Sequence, residues 1–218
     1  SAAVSWNFTS GAKTGTPATT GSVSNWSAQT FTDSATAGSG TATAFVAHAC
    51  KTPTLAATNS SVTTTDAATV HIEGAPAAGT NETITNALAL WVDDGASRFD
   101  GAVNLFKGAD IASATTVNLT TATGNLVHIT GTTTITAVTL ASGMMRQVVF
   151  DGALTLTHHA TNNNLPGAAN ITTATGDRAL YWSDGTTVYC VMYQKANGQA
   201  VSAPYLPLAG GTLTGDLL

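Results

Sequence analysis

Residues 178–194 read RALYWSDGTTVYCVMYQ. Two runs rich in aromatic and β-branched residues, RALYWS (178–183) and TTVYCVMYQ (186–194), flank Asp184-Gly185. Branching at Cβ restricts χ1 and suits a pleated surface, so both runs favour extended backbone. Asp-Gly between such runs predicts a two-residue hairpin turn, because glycine takes positive φ without a Cβ clash. The second run is apolar on both sides. Val188, Cys190 and Met192 fall on one face of an ideal strand, and Tyr189, Val191 and Tyr193 on the other. A strand of that kind is expected to be covered on both faces, one cover coming from another chain.

Working back from this hairpin, apolar pairs recur at roughly ten-residue intervals, the spacing of sandwiches, barrels or stacked β-solenoids. They are Val117/Leu119, Val127/Ile129, Ile135 with Val138/Leu140, Val148/Phe150 and, beyond Asp151-Gly152, Leu154/Leu156. Upstream, Val70 and Ile72 flank His71, and Leu88, Leu90 and Val92 alternate before Asp93-Asp94-Gly95. Phe99, Val103 and Leu105 continue around Asp100-Gly101. The stretch TATAFVAHA (41–49) has some helix potential, but its threonines and the preceding Gly-Ser-Gly favour a strand. Residues 1–40 carry only sparse anchors at Trp6, Phe8, Trp26 and Phe31, which fits short strands between flexible turns or a partly ordered linker. The segments ITNALALWVDDG (84–95) and TGDRALYWSDG (175–185) share too little to define a repeat.

Composition agrees with an all-β chain of short antiparallel strands. Threonine is roughly a fifth of the 218 residues, where Leu, Ala and Gly normally lead. Charged residues make up 9%, against about a quarter in ordinary soluble domains. The net charge of −5, with seven scattered Lys and Arg, offers no basic stripe for phosphates and argues against nucleic acid. No apolar run approaches the ~20 residues of a membrane span. Cys50 and Cys190 are too few for a disulfide framework. Short strands leave open edges, which proteins guard with lysines, prolines or bulges. Seven basic residues cannot guard them all, so pairing with identical strands of neighbouring chains is expected.

Three phrases carry a resemblance. AATVHIEGAPAAGTNETITNALALWVDDGASRFDGAV (67–103), the stretch 126–198 that begins LVHITGTTTITAV, and YLPLAGGTLTGDLL (205–218) resemble modules and the joining phrase of bacteriophage tail fibres and related virion appendages. The resemblance implies an elongated homotrimer of serial β-modules, as a β-sandwich or intertwined β-solenoid, on a virion. Its implied partners are copies of itself, other virion tail proteins and, through a distal part, host surface glycan. It carries no family-wide catalytic residue or cofactor. The resemblance covers about 67–218 and implies a fibre-type module over 67–114, a second module with a C-terminal hairpin over 115–200 and an inter-module joint over 201–218, while 1–66 is expected to be a Thr/Ser/Gly-rich β segment of unknown type. The abrupt Ser1 and the unfinished final phrase read as an internal piece of a longer chain.

His158-His159 with His128 is the best metal candidate, but neighbours on a strand point to opposite faces, so one chain does not readily bring the pair to one ion. Asp93, Asp94, Asp100, Asp151, Asp177 and Asp184 are candidate carboxylates for glycan cleavage, which needs two of them at ~5 to ~9 Å. All adjoin or approach glycines, where aspartate is favoured for backbone reasons. The expectation is therefore no enzyme, no metal and no cofactor, the alternative being a carbohydrate-binding or depolymerising spike module. Trp91 and Trp182 are expected in the core, while Trp6 and Trp26 stand open between core and a sugar-stacking platform. Asn-x-Ser/Thr occurs at Asn7, Asn25, Asn59, Asn81, Asn118 and Asn170, as chance dictates in so threonine-rich a chain.

Overall fold

The structure is a computed structural model describing Trp26 and residues 28–199. Trp6, Asn7, Asn25 and the phrase 205–218 lie outside the described residues. The chain divides into two units, the first ending at Asp93 and the second beginning at Asp94. Among the described residues, all regular elements lie in the second unit. No helix among the described residues is long and apolar enough to cross a membrane.

The described residues form nine strands in order: β1 (Ile111–Ala112), β2 (Thr116–Asn118), β3 (Leu126–Thr130), β4 (Ala137–Thr139), β5 (Met145–Phe150), β6 (Thr155–Leu156), β7 (Ile171–Thr172), β8 (Arg178–Ser183) and β9 (Val188–Gln194). The all-β expectation holds. The pairing is not uniformly antiparallel, however. β1, β3 and β5 are parallel neighbours, and so are β2 and β4. Val127 lies opposite Val148, Val117 opposite Val138 and Ile135 opposite Leu156, each partner 21 positions further along. The chain thus winds in coils that stack in register within one molecule. Burial alternates with period two whichever way a neighbour runs, so the residue pattern carried no information on direction.

The register stacks like on like. Ile111, Ile129 and Phe150 form one ladder in the five-stranded sheet ordered β1-β3-β5-β8-β9. Val127, Ile129, Val148 and Phe150 share one buried cluster with Val117, Val138 and Leu156 of β2, β4 and β6 and with Leu119, Ile135 and Leu140 beside them. Each fully buried aliphatic or aromatic side chain contributes about 1.5–3 kcal/mol, which is how strands of two or three residues hold. After the third coil the chain reverses, and β8 and β9 add antiparallel beyond β5. Gly108 and Gly124 let successive coils touch through backbone alone. A Cβ on Gly124 would stand 2.2 Å from the Gly108 nitrogen.

Two details of the hairpin differ from expectation. Ser183 pairs with Val188, so the connection spans four residues, Asp184 to Thr187, rather than two. Asp184 Oδ1 accepts the amides of Thr186 (2.8 Å) and Thr187 (2.6 Å), making an Asx-type turn that supplants the tight one. Those amides hold the Asp184 carboxyl below the usual carboxylate range. A bulge then places Leu180 opposite Met192 but Tyr181 opposite Cys190, leaving Val191 over. The extra residue inverts the alternation. Tyr193 turns into the core at 8% exposure, while Val191 and Met192 turn out at 51% and 53%. The two-faced strand is therefore covered on one face only within the chain.

The upstream expectations fail more broadly. Every described residue from Trp26 to Lys107 is exposed, and none of the described residues before Lys107 joins a strand or bridge. The strands anticipated at 41–49, 70–72, 88–92 and 103–105 do not form in the single chain. Backbone amides gain from extended structure only when a neighbouring strand accepts them, and no such neighbour pairs here.

Candidate functional site

The histidine pair serves the backbone. His158 Nδ1 accepts the Leu165 amide at 3.2 Å, and the His158 amide donates to Asn170 Oδ1 at 2.8 Å. His159 Nδ1 accepts the amides of Thr161 (3.2 Å) and Asn162 (3.1 Å), closing the turn bridged by His159 and Asn163. With Nδ1 so engaged on both rings, the neutral tautomer carries its proton on Nε2. His128 sits on β3, where its Nδ1 meets Asp151 Oδ1 at 2.7 Å in a half-exposed pair. The described residues contain no group of three or more His, Cys, Asp or Glu side chains positioned to hold a metal ion.

Five of the six carboxylates have separate partners. Asp94 Oδ1 accepts the Gly95 amide at 2.6 Å, Asp100 pairs with Arg98 at 2.5 Å, Asp151 meets His128, and Asp184 builds its turn. Asp93 is exposed, with no hydrogen bond found for its side chain. Asp177 is different. It is 1% exposed, and its Oδ2 accepts Tyr193 Oη at 2.6 Å and the Ala174 amide at 2.9 Å, while Oδ1 accepts the Ala196 amide at 2.8 Å. Burial alone would raise its pKa. The hydrogen bonds from Tyr193, Ala196 and Ala174, with Lys195 nearby, outweigh burial and hold the carboxyl below its ordinary range. Burial and the same carboxylate push the Tyr193 phenol far up. Asp177 thus ties the entry of β8 to the exit of β9. Its position after Gly176 disclosed a turn but not this buried anchor.

Other buried polar groups are also structural. Asn163, fully buried, donates through Nδ2 to the Thr157 carbonyl at 3.0 Å and accepts Tyr181 Oη at 3.3 Å. Burial pushes the Cys190 thiol up to about 12, so it is not a nucleophile at neutral pH.

The aromatic expectations divide. Trp91 is 74% exposed, not core. Trp182 lies on the outer face of β8, stacked on Tyr189 with ring centroids 5.7 Å apart. In the first unit, Trp26 meets His48 edge-on at 5.0 Å, and Phe31 stacks on Phe45 at 5.1 Å. With Gln29 and Thr30 these rings line a cleft of about 680 Å³. Trp26 and Phe31 are two of the sparse aromatic anchors of the N-terminal stretch. Nothing in the pattern identified 45–48 as their partner, because the two segments meet through side-chain rings and share no regular element whose period would fix the spacing.

Comparison of the chain with family models, with curated proteins and with solved structures finds no match.

Proposed function

We propose that this chain is a structural segment of a bacteriophage tail fibre or related virion appendage, self-associating as a homotrimer and supporting host attachment without catalysis. One observation carries the reading. A stack of short threonine- and valine-rich coils follows a long stretch whose strand-like apolar residues are all exposed in the single chain. Six aromatics in that stretch, Trp26, Phe31, Phe45, Trp91, Phe99 and Phe106, are 66–80% exposed. At 150–250 Å² each they leave on the order of 600–1,000 Å² of aromatic surface uncovered. That matches the ~800 Å² each partner contributes to a stable interface. Copies of the chain would cover it, and the resulting shaft transmits position and force rather than chemistry.

Labelling particles with an antibody against residues 107–199 tests the placement. Signal on a tail appendage supports it, and purified particles free of the antigen refute it. Sedimentation at micromolar concentration tests the assembly, which a folded, stable monomer would refute. The second reading, a carbohydrate-binding or depolymerising spike module, draws on the Trp26–Phe31–Phe45–His48 cleft, since exposed aromatic faces stack on sugar rings. Release of reducing ends from host polysaccharide by the full-length protein would favour it.

A further inference from the structure

Five glycines among the described residues follow an aspartate or asparagine: Asp94-Gly95, Asp100-Gly101, Asp151-Gly152, Asp184-Gly185 and Asn197-Gly198. A glycine carries no Cβ to shield its amide nitrogen. That nitrogen is therefore free to attack the carbonyl carbon of the side chain before it, and each pair is chemically able to rearrange. The fold treats the five differently.

At four of them the side chain is engaged away from its glycine. Asp184 Oδ1 reaches past Gly185 to the amides of Thr186 (2.8 Å) and Thr187 (2.6 Å), and the Gly185 amide donates to Ser183 Oγ at 3.1 Å. Asp151 Oδ1 faces His128 Nδ1 at 2.7 Å, and Asp100 Oδ1 takes Arg98 Nε at 2.5 Å. Asn197 Oδ1 accepts the Gln199 amide at 3.0 Å, while the Gly198 amide donates to the Lys195 carbonyl at 3.0 Å. Asp94 differs. Its Oδ1 lies 2.6 Å from the nitrogen of Gly95 itself, and Cγ is one bond from that oxygen. Both residues are exposed, Gly95 sits at φ 84°, and no other hydrogen bond is found for either.

We propose that Asp94-Gly95 is a site of spontaneous covalent modification, in which Asp94 converts to isoaspartate through a cyclic imide. With the carboxyl protonated, the Gly95 nitrogen bonds to Cγ, the Cγ–OH bond breaks, and the hydroxyl departs with the amide proton as water. Water then adds to the imide. Opening at the side-chain carbonyl restores aspartate. Opening at the main-chain carbonyl leaves the backbone running through Cγ, longer by a methylene, with the former main-chain carbonyl as a free carboxylate. Holding the reacting groups together removes the entropy of bringing them there. At Asp184 the turn amides favour the carboxylate and hold its carboxyl below the usual range, so less of it is in the protonated form that loses water.

Full-length protein would be incubated in mildly acidic buffer, folded or in urea, and then cut with trypsin. Cleavage after Lys51, Arg98, Lys107, Arg146, Arg178 and Lys195 places Asp94, Asp100, Asp151 and Asp184 in separate peptides. Isoaspartate is read as a chromatographic isomer of unchanged mass, located by electron-transfer fragmentation. In the folded protein it should accumulate at Asp94 about tenfold or more faster than at Asp184, and the two rates should converge in urea. Comparable rates in the folded protein, or a ratio that urea leaves unchanged, would overturn the proposal, since the dipeptide rather than the fold would then set the rate. Asp94→Glu enlarges the ring that must close and should abolish the isomer of peptide 52–98. Isomer persisting in that peptide would place the reaction at Asp66 or Asp93 and overturn the assignment.

Discussion

Replacing Asp177 by asparagine tests whether one buried carboxylate holds the end of the sheet. The amide keeps the size and one acceptor oxygen. If that oxygen stays with Tyr193 Oη and the Ala174 amide, the Nδ2 group faces the Ala196 amide, donor against donor. One buried donor is left unpaired and two charge-assisted hydrogen bonds become neutral. A buried unsatisfied group costs about 1–3 kcal/mol, and a hydrogen bond to a charged group is worth about 1.5–3 against about 1 for a neutral one. Asp177→Asn should therefore destabilise by about 2–7 kcal/mol at pH 7. The pH dependence supplies an independent readout. The folded carboxyl titrates below its unfolded value of about 3.9. Its contribution is complete above that unfolded value and is lost as pH falls through the depressed folded value. Urea unfolding at fixed protein concentration, followed by circular dichroism at pH 7 and at steps below pH 4, measures both. In wild type the acid limb falls more steeply than in the variant. A variant within about 0.5 kcal/mol of wild type at pH 7, the scatter of ordinary surface substitutions, would refute the anchoring argument. So would an unaltered acid limb.

Gly124→Ala should separate the first coil from the second, since its Cβ would stand 2.2 Å from the Gly108 nitrogen. Hydrogen exchange should lose protection across 107–130 while 178–194 remains protected, and unchanged exchange would contradict the close-approach argument. A maleimide probe at pH 7 should label exposed Cys50 and spare Cys190, which is 4% exposed with its thiol pushed to about 12. Comparable labelling of both in folded protein would count against the packing of β9. Tyr181→Phe removes the donor to buried Asn163 and should cost about 1 kcal/mol, read as a shifted urea midpoint. A neutral result would mean that Asn163 is held by the Thr157 carbonyl alone.

The candidate chemistry is partly legible in the sequence. Asp94 and Asp184 serve turns, as their glycine neighbours indicated, while the His158 and His159 Nδ1 atoms accept different backbone amides. Asp177 and the Trp26–His48 cleft were not legible. Asp177 gains its partners from Tyr193 and Ala196, 16 and 19 residues away, and its role follows from that approach rather than from its own neighbours.

The residues alone determined the all-β class, and most of the core, because apolar alternation at Val117/Leu119, Val127/Ile129 and Val148/Phe150 reports a half-buried pleat irrespective of context. Strand direction was decided only in three dimensions. Parallel stacking depends on the coil length that brings Val127 over to Val148, and a two-residue period is blind to it. Tertiary structure also decided which way Tyr193 faces, since one bulge at Val191 inverts a phase that looked continuous. It decided, too, that equally strand-like residues at 88–92 remain unpaired while those at 126–130 do not. Extended backbone is stable only where a neighbour accepts its hydrogen bonds, and that neighbour is a property of the fold, not of the segment.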